Sequence, residues 1–161
     1  MKESHLNIRI EQCLMLAKAS HCSRRKLAAM AVDPERNVVL ADAYNGGPRG
    51  AKGNLCKGDY CEREKEQIQS GTRMERGCHH AEMNVICNAA AQGVSLRGAW
   101  LIIPAEPCLM CAKAIHHAGF ARVVLVGGGY AGGDTGVIYL VENGIACQQV
   151  DGPTDPRTIK N

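Results

Sequence analysis

Apolar residues recur along this chain first at helical and then at strand spacing. Residues 4–19 carry Leu6, Ile10, Cys13, Leu14 and Ala17 three or four apart, which predicts an amphipathic helix. Ser20-His21-Cys22-Ser23 breaks it. Leu27–Val32 and Val38–Ala43 read as short strands, joined as a hairpin by the turn Asp33-Pro34-Glu35-Arg36-Asn37. Tyr44–Gly50 contains three glycines and a proline, a loop whose amides can approach a ligand. Residues 51–77 are polar and read as an insertion with one exposed helical turn or more; its charged run Cys61–Glu66 reads as a solvated face. A helix follows over Glu82–Ala91, with Met83, Ile86, Cys87 and Ala90 inward and Gly93 at its end. Then come a strand over Ala99–Ile103, a helix over Cys108–His117 ended by Gly119, and a strand over Arg122–Val126. The glycine-rich stretch Gly127–Gly136 leads to a helix near Val137–Glu142 and a last strand over Ile145–Val150.

The order α-β-β-α-β-α-β-α-β describes an α/β fold of three layers, α/β/α, around a five-stranded mixed sheet. Its first two strands should be antiparallel and the later ones parallel. The expectation is one domain over residues 1–161, with the insertion at about 51–77 and an irregular tail over 151–161.

Composition sharpens this in three ways. Aromatic residues are 4% of the chain against 45% hydrophobic, so the core must be built from Ala, Val, Ile and Leu. The net charge of +3 suits a small anionic ligand, and without a basic stripe or interleaved aromatics it argues against nucleic acid. Nine cysteines with no signal-peptide h-region and no membrane-length apolar run favour metal ligation over disulfides, a cytoplasmic setting, and no membrane partner.

The chemistry gathers at two short stretches. His80-Ala81-Glu82 and Pro107-Cys108-Leu109-Met110-Cys111 each open a helix. Cys108 and Cys111, three apart, share a helix face in the first turn, where the dipole favours thiolate. With His80 they give three N/S ligands, which leave a zinc ion one open position for water. Glu82 can then move protons to and from that water. His80 could instead be an ordinary half-buried histidine and the cysteines small core hydrophobes. Several independent coincidences of residue type and spacing would be needed for that, because this pattern is the signature of zinc deaminases acting on nucleobases.

Further stretches carry a resemblance. They are Ser20-x-Cys22-x-Arg24, Tyr44-Asn45-Gly46-x-Pro48-Arg49-Gly50, His80-Ala81-Glu82-Met83-Asn84, Pro107-Cys108-x-x-Cys111-Ala112-Lys113, Tyr130-x-x-x-Asp134-x-Gly136 and Gly144-Ile145. Across residues 20–150 the chain resembles the deoxycytidylate (dCMP) deaminases of the zinc-dependent cytidine deaminase superfamily, including phage and bacterial competence-type members. The resemblance implies the cytidine deaminase-like fold and conversion of dCMP to dUMP and ammonia, supplying thymidylate synthesis. It implies that Asn45 bonds the sugar, that Ala81, Pro107 and Cys108 meet the base, and that Tyr130 closes over the ring. Arg24, with Lys26 or Arg49, would meet the 5′-phosphate. Surface charge is the plainer account of these cations.

The resemblance also implies a second, structural zinc. Cys22, Cys56, Cys61 and Cys78 fall where the insertion returns to the active-site helix, and four thiolates make a closed site. His79 could replace one of them, and four reduced surface thiols are the alternative. Cys13, Cys87 and Cys147 read as core. Activation by dCTP, inhibition by dTTP and a homo-oligomer, hexamer or dimer, are further implications. Two departures stand against the family pattern: Pro104-Ala105-Glu106 before Pro107-Cys108, and Leu27-Ala28-Ala29 in the first strand. Glu-Pro-Cys is familiar in adenosine and free-base deaminases, so another nucleotide, nucleoside or base stays open as substrate. A catalytically silent zinc-binding competence or assembly module is the reading from outside the enzymes.

Overall fold

Helix α1 (Glu3–Ala17) forms where the spacing predicts it and buries Leu6, Ile10, Cys13 and Ala17. The hairpin follows as β1 (Ala28–Asp33) and β2 (Val38–Tyr44), antiparallel, with a bulge between the pairs Ala31–Ala41 and Val32–Val39. At its turn, Asp33 Oδ1 accepts the amides of Glu35 and Arg36 at 2.9 and 3.0 Å. The computed structural model describes residues 1–48, 50, 56–57, 60–68, 77–127 and 135–152, with backbone alone at 56–57 and 135. Expectations for Arg49, the rest of the insertion, the stretch 128–134 with Tyr130 and Asp134, and the tail from residue 153 lie outside the described residues.

Within the insertion, two-residue strands β3 (Cys56–Lys57) and β4 (Tyr60–Cys61) pair antiparallel and lead into α2 (Glu62–Lys65), the expected helical turn. The rest runs α3 (Ala81–Ala91), β5 (Trp100–Ile103), α4 (Leu109–Ala118), β6 (Arg122–Val126), α5 (Thr135–Glu142) and β7 (Ala146–Val150). The sheet has the order β2-β1-β5-β6-β7. β1 is antiparallel to both neighbours, and β5, β6 and β7 are mutually parallel. This is the five-stranded mixed sheet expected.

Side-chain alternation builds the layers. Ala28, Met30, Val32, Ile102, Val124 and Val126 point to α1. Ala29, Ala31, Leu101, Ile103, Val123 and Leu125 point the other way, onto Val85, Ala112, Ile115 and Leu140 of α3, α4 and α5. The core is aliphatic, as composition requires, and alanines such as Ala29, Ala81 and Ala112 let helix and strand backbones approach closely.

Helix α3 departs from the periodicity reading. Its buried residues are Ala81, Glu82, Val85 and Ala89; Met83 and Ile86 are half-buried, while Cys87 and Ala90 are exposed. The cause is anchoring from β2 combined with an inward carboxylate. Asn84 Nδ2 donates to Tyr44 O and Asn88 Nδ2 to Asp42 O, both at 3.0 Å, which fixes the helix rotation. The position a hydrophobicity pattern expects to be apolar is held by Glu82. Cys13 is core as expected; Cys147 is only half-buried. Among the described residues, no helix is long and apolar enough to cross a membrane.

Candidate metal centre and substrate cleft

His80 and Cys108 occupy the N-cap positions of α3 and α4, both with extended backbone. Such positions usually carry Ser, Thr, Asp or Asn, whose oxygen caps the first amides. Here neither side chain makes a capping bond. Both turn instead toward a shared point, where His80 Nδ1 lies 3.5 Å from Cys108 Sγ and 3.5 Å from Cys111 Sγ. A zinc ion held at about 2.05 Å from nitrogen and about 2.3 Å from sulfur in a tetrahedron sets that edge at about 3.6 Å. The three atoms therefore already have the spacing of zinc ligands. They also form the metal-competent group found among the described residues, all ligand atoms lying within 4.8 Å of one another, and Glu82 is outside it.

Electrostatics agree with that donor set. Contact with Cys111 and His80 lowers the Cys108 thiol to about 4. The contact with Cys108, with burial, raises Cys111. His80 is raised chiefly by its contact with Cys108. Glu82 is 7% exposed, and burial pushes its carboxyl above the usual range, partly offset by His80. A carboxyl in a cleft whose charged form burial disfavours is a candidate for moving protons.

His80, Glu82 and Cys108 line one cleft, whose other walls come from the α1–β1 linker, the insertion and the β5–α4 loop. The linker is held by Asn45. Its Oδ1 accepts Leu27 N–H and its Nδ2 donates to Arg25 O, both at 2.9 Å. Its own amide donates to Leu27 O at 2.9 Å, and its carbonyl accepts Ser20 Oγ at 2.9 Å. Ser20, Asn45 and Glu82 are the buried polar side chains among the described residues, and all three serve this cleft. The loop beyond Asn45 is joined to the active-site helix by a bridge in which Gly46 and His79 exchange amide bonds at 3.2 and 2.9 Å.

The sequence-derived candidates divide as follows. His80, Cys108, Cys111 and Glu82 converge. Ala81, at the first turn of α3, and Pro107 are buried beside them. Arg24 and Asn45 line the cleft, but both ends of the Asn45 amide are engaged by backbone. Lys26 does not line it: its ammonium donates instead to Lys18 O at 3.5 Å, at the end of α1. Arg49 and Tyr130 lie outside the described residues. Of the second cysteine set, Cys22, Cys61 and Cys78 line the same cleft. Contact with Cys78 lowers Cys22 to about 5, and the Arg25 amide donates to Cys22 Sγ at 3.5 Å. Of Cys56 the backbone alone is described, paired with Cys61. Glu106 of the Glu-Pro-Cys departure also lines the cleft, as do Arg25 and Arg63, which nothing in the sequence pattern marks.

Two helix N-termini on one side of a mixed α/β/α sheet bring a histidine and two cysteines to one point beside a buried carboxyl, a donor set that fits zinc. A family model for the cytidine and deoxycytidylate deaminase zinc-binding region matches residues 4–127, and the chain belongs to that family. The deoxycytidylate deaminase of Schizosaccharomyces pombe is 33% identical over 116 residues, 71% of this chain and 34% of that protein. This chain thus spans about a third of that relative's length. The deoxycytidylate deaminase of Mycobacterium phage D29 is 33% identical over 114 residues, 67% of this chain and 83% of that protein. In structure, the cyanophage S-TIM5 dCMP deaminase in complex with dCMP and dUMP shares the fold. Its TM-score is 0.73 at 23% identity, over 93% of this chain and 99% of that one.

Proposed function

We propose that this chain hydrolyses the exocyclic amine of a cytosine nucleotide, with dCMP going to dUMP and ammonia. The observation that carries the reading is the convergence of His80, Cys108 and Cys111 at ligand spacing beside the buried, proton-competent Glu82. The two deoxycytidylate deaminases at 33% identity support the substrate. Zinc, when held by the three ligands, lowers the pKa of a water towards neutral. Glu82 takes a proton from the attacking water and delivers it to N3, then takes the proton of the hydroxyl formed on C4 and delivers it to the amine as the C4–N bond breaks and ammonia leaves. Ala81 and Cys108, with Pro107, border the base, and Tyr130 closes over it. Arg24 and Arg49 face the phosphate. Asn45 shapes the sugar end.

A second zinc held by Cys22, Cys56, Cys61 and Cys78 is part of this proposal. Its support is the contact of Cys22 with Cys78 and the amide-to-sulfur bond from Arg25, an arrangement common at thiolate ligands. Two zinc ions per chain are expected by elemental analysis. One ion, with Cys56→Ser and Cys78→Ser leaving stability unchanged, would remove the structural site. We further read the chain as one cytoplasmic deaminase domain over residues 1–161, with its insertion at about 51–77 and irregular tail over 151–161. It assembles as a homo-oligomer, hexamer or dimer, activated by dCTP and inhibited by dTTP near Gly46–Gly50. Hyperbolic kinetics indifferent to both triphosphates would count against the regulation.

Glu106 on the cleft wall favours a second reading, deamination of another nucleotide, nucleoside or base. One experiment separates all of these: ammonia release from a panel of cytosine and purine bases, nucleosides and nucleotides, for the wild type and Glu82→Ala. Release from dCMP above the others, lost in the variant with zinc retained, is the expected outcome. No release from any substrate would leave the silent zinc-binding module.

A further inference from the structure

The polar insertion reads from sequence as a solvated appendage, yet it sends one cation into the catalytic cleft. Arg63 stands in the single turn of α2, two residues past Cys61. Its Nε is shielded from solvent. Gly77, where the insertion returns to the active-site helix at φ +105°, passes directly over its stem. A Cβ on Gly77 would meet Arg63 Cγ at 3.4 Å and Cδ at 3.5 Å. The segment leading to His80 thus lies close against the arginine stem, and the Arg63 side chain lines the same cleft as His80, Cys78, Arg24 and Arg25.

The cleft has an uneven charge. Its carboxylates are Glu82, at the reaction end, and Glu106; its guanidinium groups are Arg24, Arg25 and Arg63. Arg24 and Arg25 come from the α1–β1 linker and Arg63 from the insertion, so the cations flank the cleft from two chain segments. A planar guanidinium matches the oxygens of a phosphate in two parallel bonds, and such charge-assisted contacts are the strong ones. We propose that Arg63 is a specificity-determining residue that meets the 5′-phosphate of the substrate and makes the site select nucleotides over nucleosides and free bases. This rests on the deaminase reading above, and it gives the insertion a direct part in substrate choice.

The test compares kcat/KM for dCMP and for deoxycytidine in the wild type, Arg63→Gln and Arg63→Lys, with zinc content and thermal unfolding as folding controls. The nucleotide-over-nucleoside ratio is expected to fall about 10- to 100-fold in Arg63→Gln, the range of one charge-assisted contact. Arg63→Lys, which keeps the charge and loses the fork, should fall between. It also serves as the readout should the glutamine variant fail to fold. A ratio unchanged, or equal losses on both substrates, overturns the proposal. A wild type that deaminates no cytosine nucleotide overturns the deaminase reading instead. Calorimetric binding of dUMP against deoxyuridine then still reads Arg63. Loss of the preference for dUMP in Arg63→Gln supports its role, and an undiminished preference refutes it.

Discussion

The backbone carbonyl of Pro107 lies directly against Gly136, so that a Cβ on Gly136 would overlap its oxygen. Helix α5 thereby rests on the peptide that presents Cys108. The glycine is required by this close approach, not by its φ angle. Gly136→Ala should push α5 and the Pro107–Cys108 peptide apart. A loss of about 1–3 kcal/mol, typical of overpacking, is expected in urea unfolding, with a lower zinc content in the same sample. Unchanged stability and zinc would mean that α5 yields freely.

Glu82 is buried but outside the ligand group. Glu82→Gln should therefore keep its zinc and its affinity for dUMP while turnover falls about 10²- to 10⁴-fold. Cys108→Ala should lose metal and activity together. Zinc content, calorimetry and steady-state rates on the two variants decide the matter. Metal loss in Glu82→Gln would make the carboxylate a ligand.

Asn45 holds the linker that carries Cys22, Arg24 and Arg25. Truncation to alanine leaves Leu27 N–H and Arg25 C=O without that partner, a cost of about 1–3 kcal/mol. KM for the nucleotide should rise as well, since the arginines lose their mooring. Urea unfolding and steady-state kinetics would reveal both effects. A KM increase with full stability would argue for direct sugar contact instead.

The cysteines should differ sharply towards iodoacetamide. Cys87 is exposed on α3, whereas burial pushes Cys13 up to about 12. Peptide mapping of the native protein should find Cys87 alkylated within minutes and Cys13 only after unfolding. Early labelling of Cys13 would show that α1 detaches from the sheet.

The Asp33 carboxyl is held below its usual range, first by the Arg36 amide and then by the Arg36 side chain. A depressed folded-state value means that its stabilising contribution is present above the unfolded pKa. That contribution is lost as pH falls through the folded value. Between pH 5 and 3, Asp33→Asn should flatten the acid loss of stability seen in urea titrations. Parallel curves for both proteins would refute the assignment.

Much of this architecture is legible in the sequence because strand and helix periods differ and few elements are ambiguous. The alternation through Ala28–Val32 and Leu101–Ile103 sets two faces, and His80, Cys108 and Cys111 announce themselves by residue type at helix starts. The rotation of α3 is not legible, because its buried face includes Glu82 and is set by Asn84 and Asn88 reaching β2. Nor is the place of Arg63. A charged run of Glu and Arg gives no sign of which member lines the cleft, where Arg63 lies against Gly77, distant in sequence. Lys26 and Arg25 are adjacent and equally cationic, yet Arg25 lines the cleft while Lys26 turns back to the Lys18 carbonyl, a difference that residue type does not announce.

The three candidate zinc ligands all lie within residues 80–111, at the starts of α3 and α4 with β5 between them. The opposite wall of the cleft comes from residues 22–28, paired through β1 against β5 far along the chain. Local contacts form sooner than distant ones during folding. A nascent chain that has released residue 111 already carries His80, Cys108 and Cys111, and capture of an ion by them would draw α3 and α4 together around β5. The antiparallel closure of β1 onto β5 is the slower, long-range event. Affinity for metal is thereby encoded in a short segment, while discrimination among substrates waits for the whole sheet.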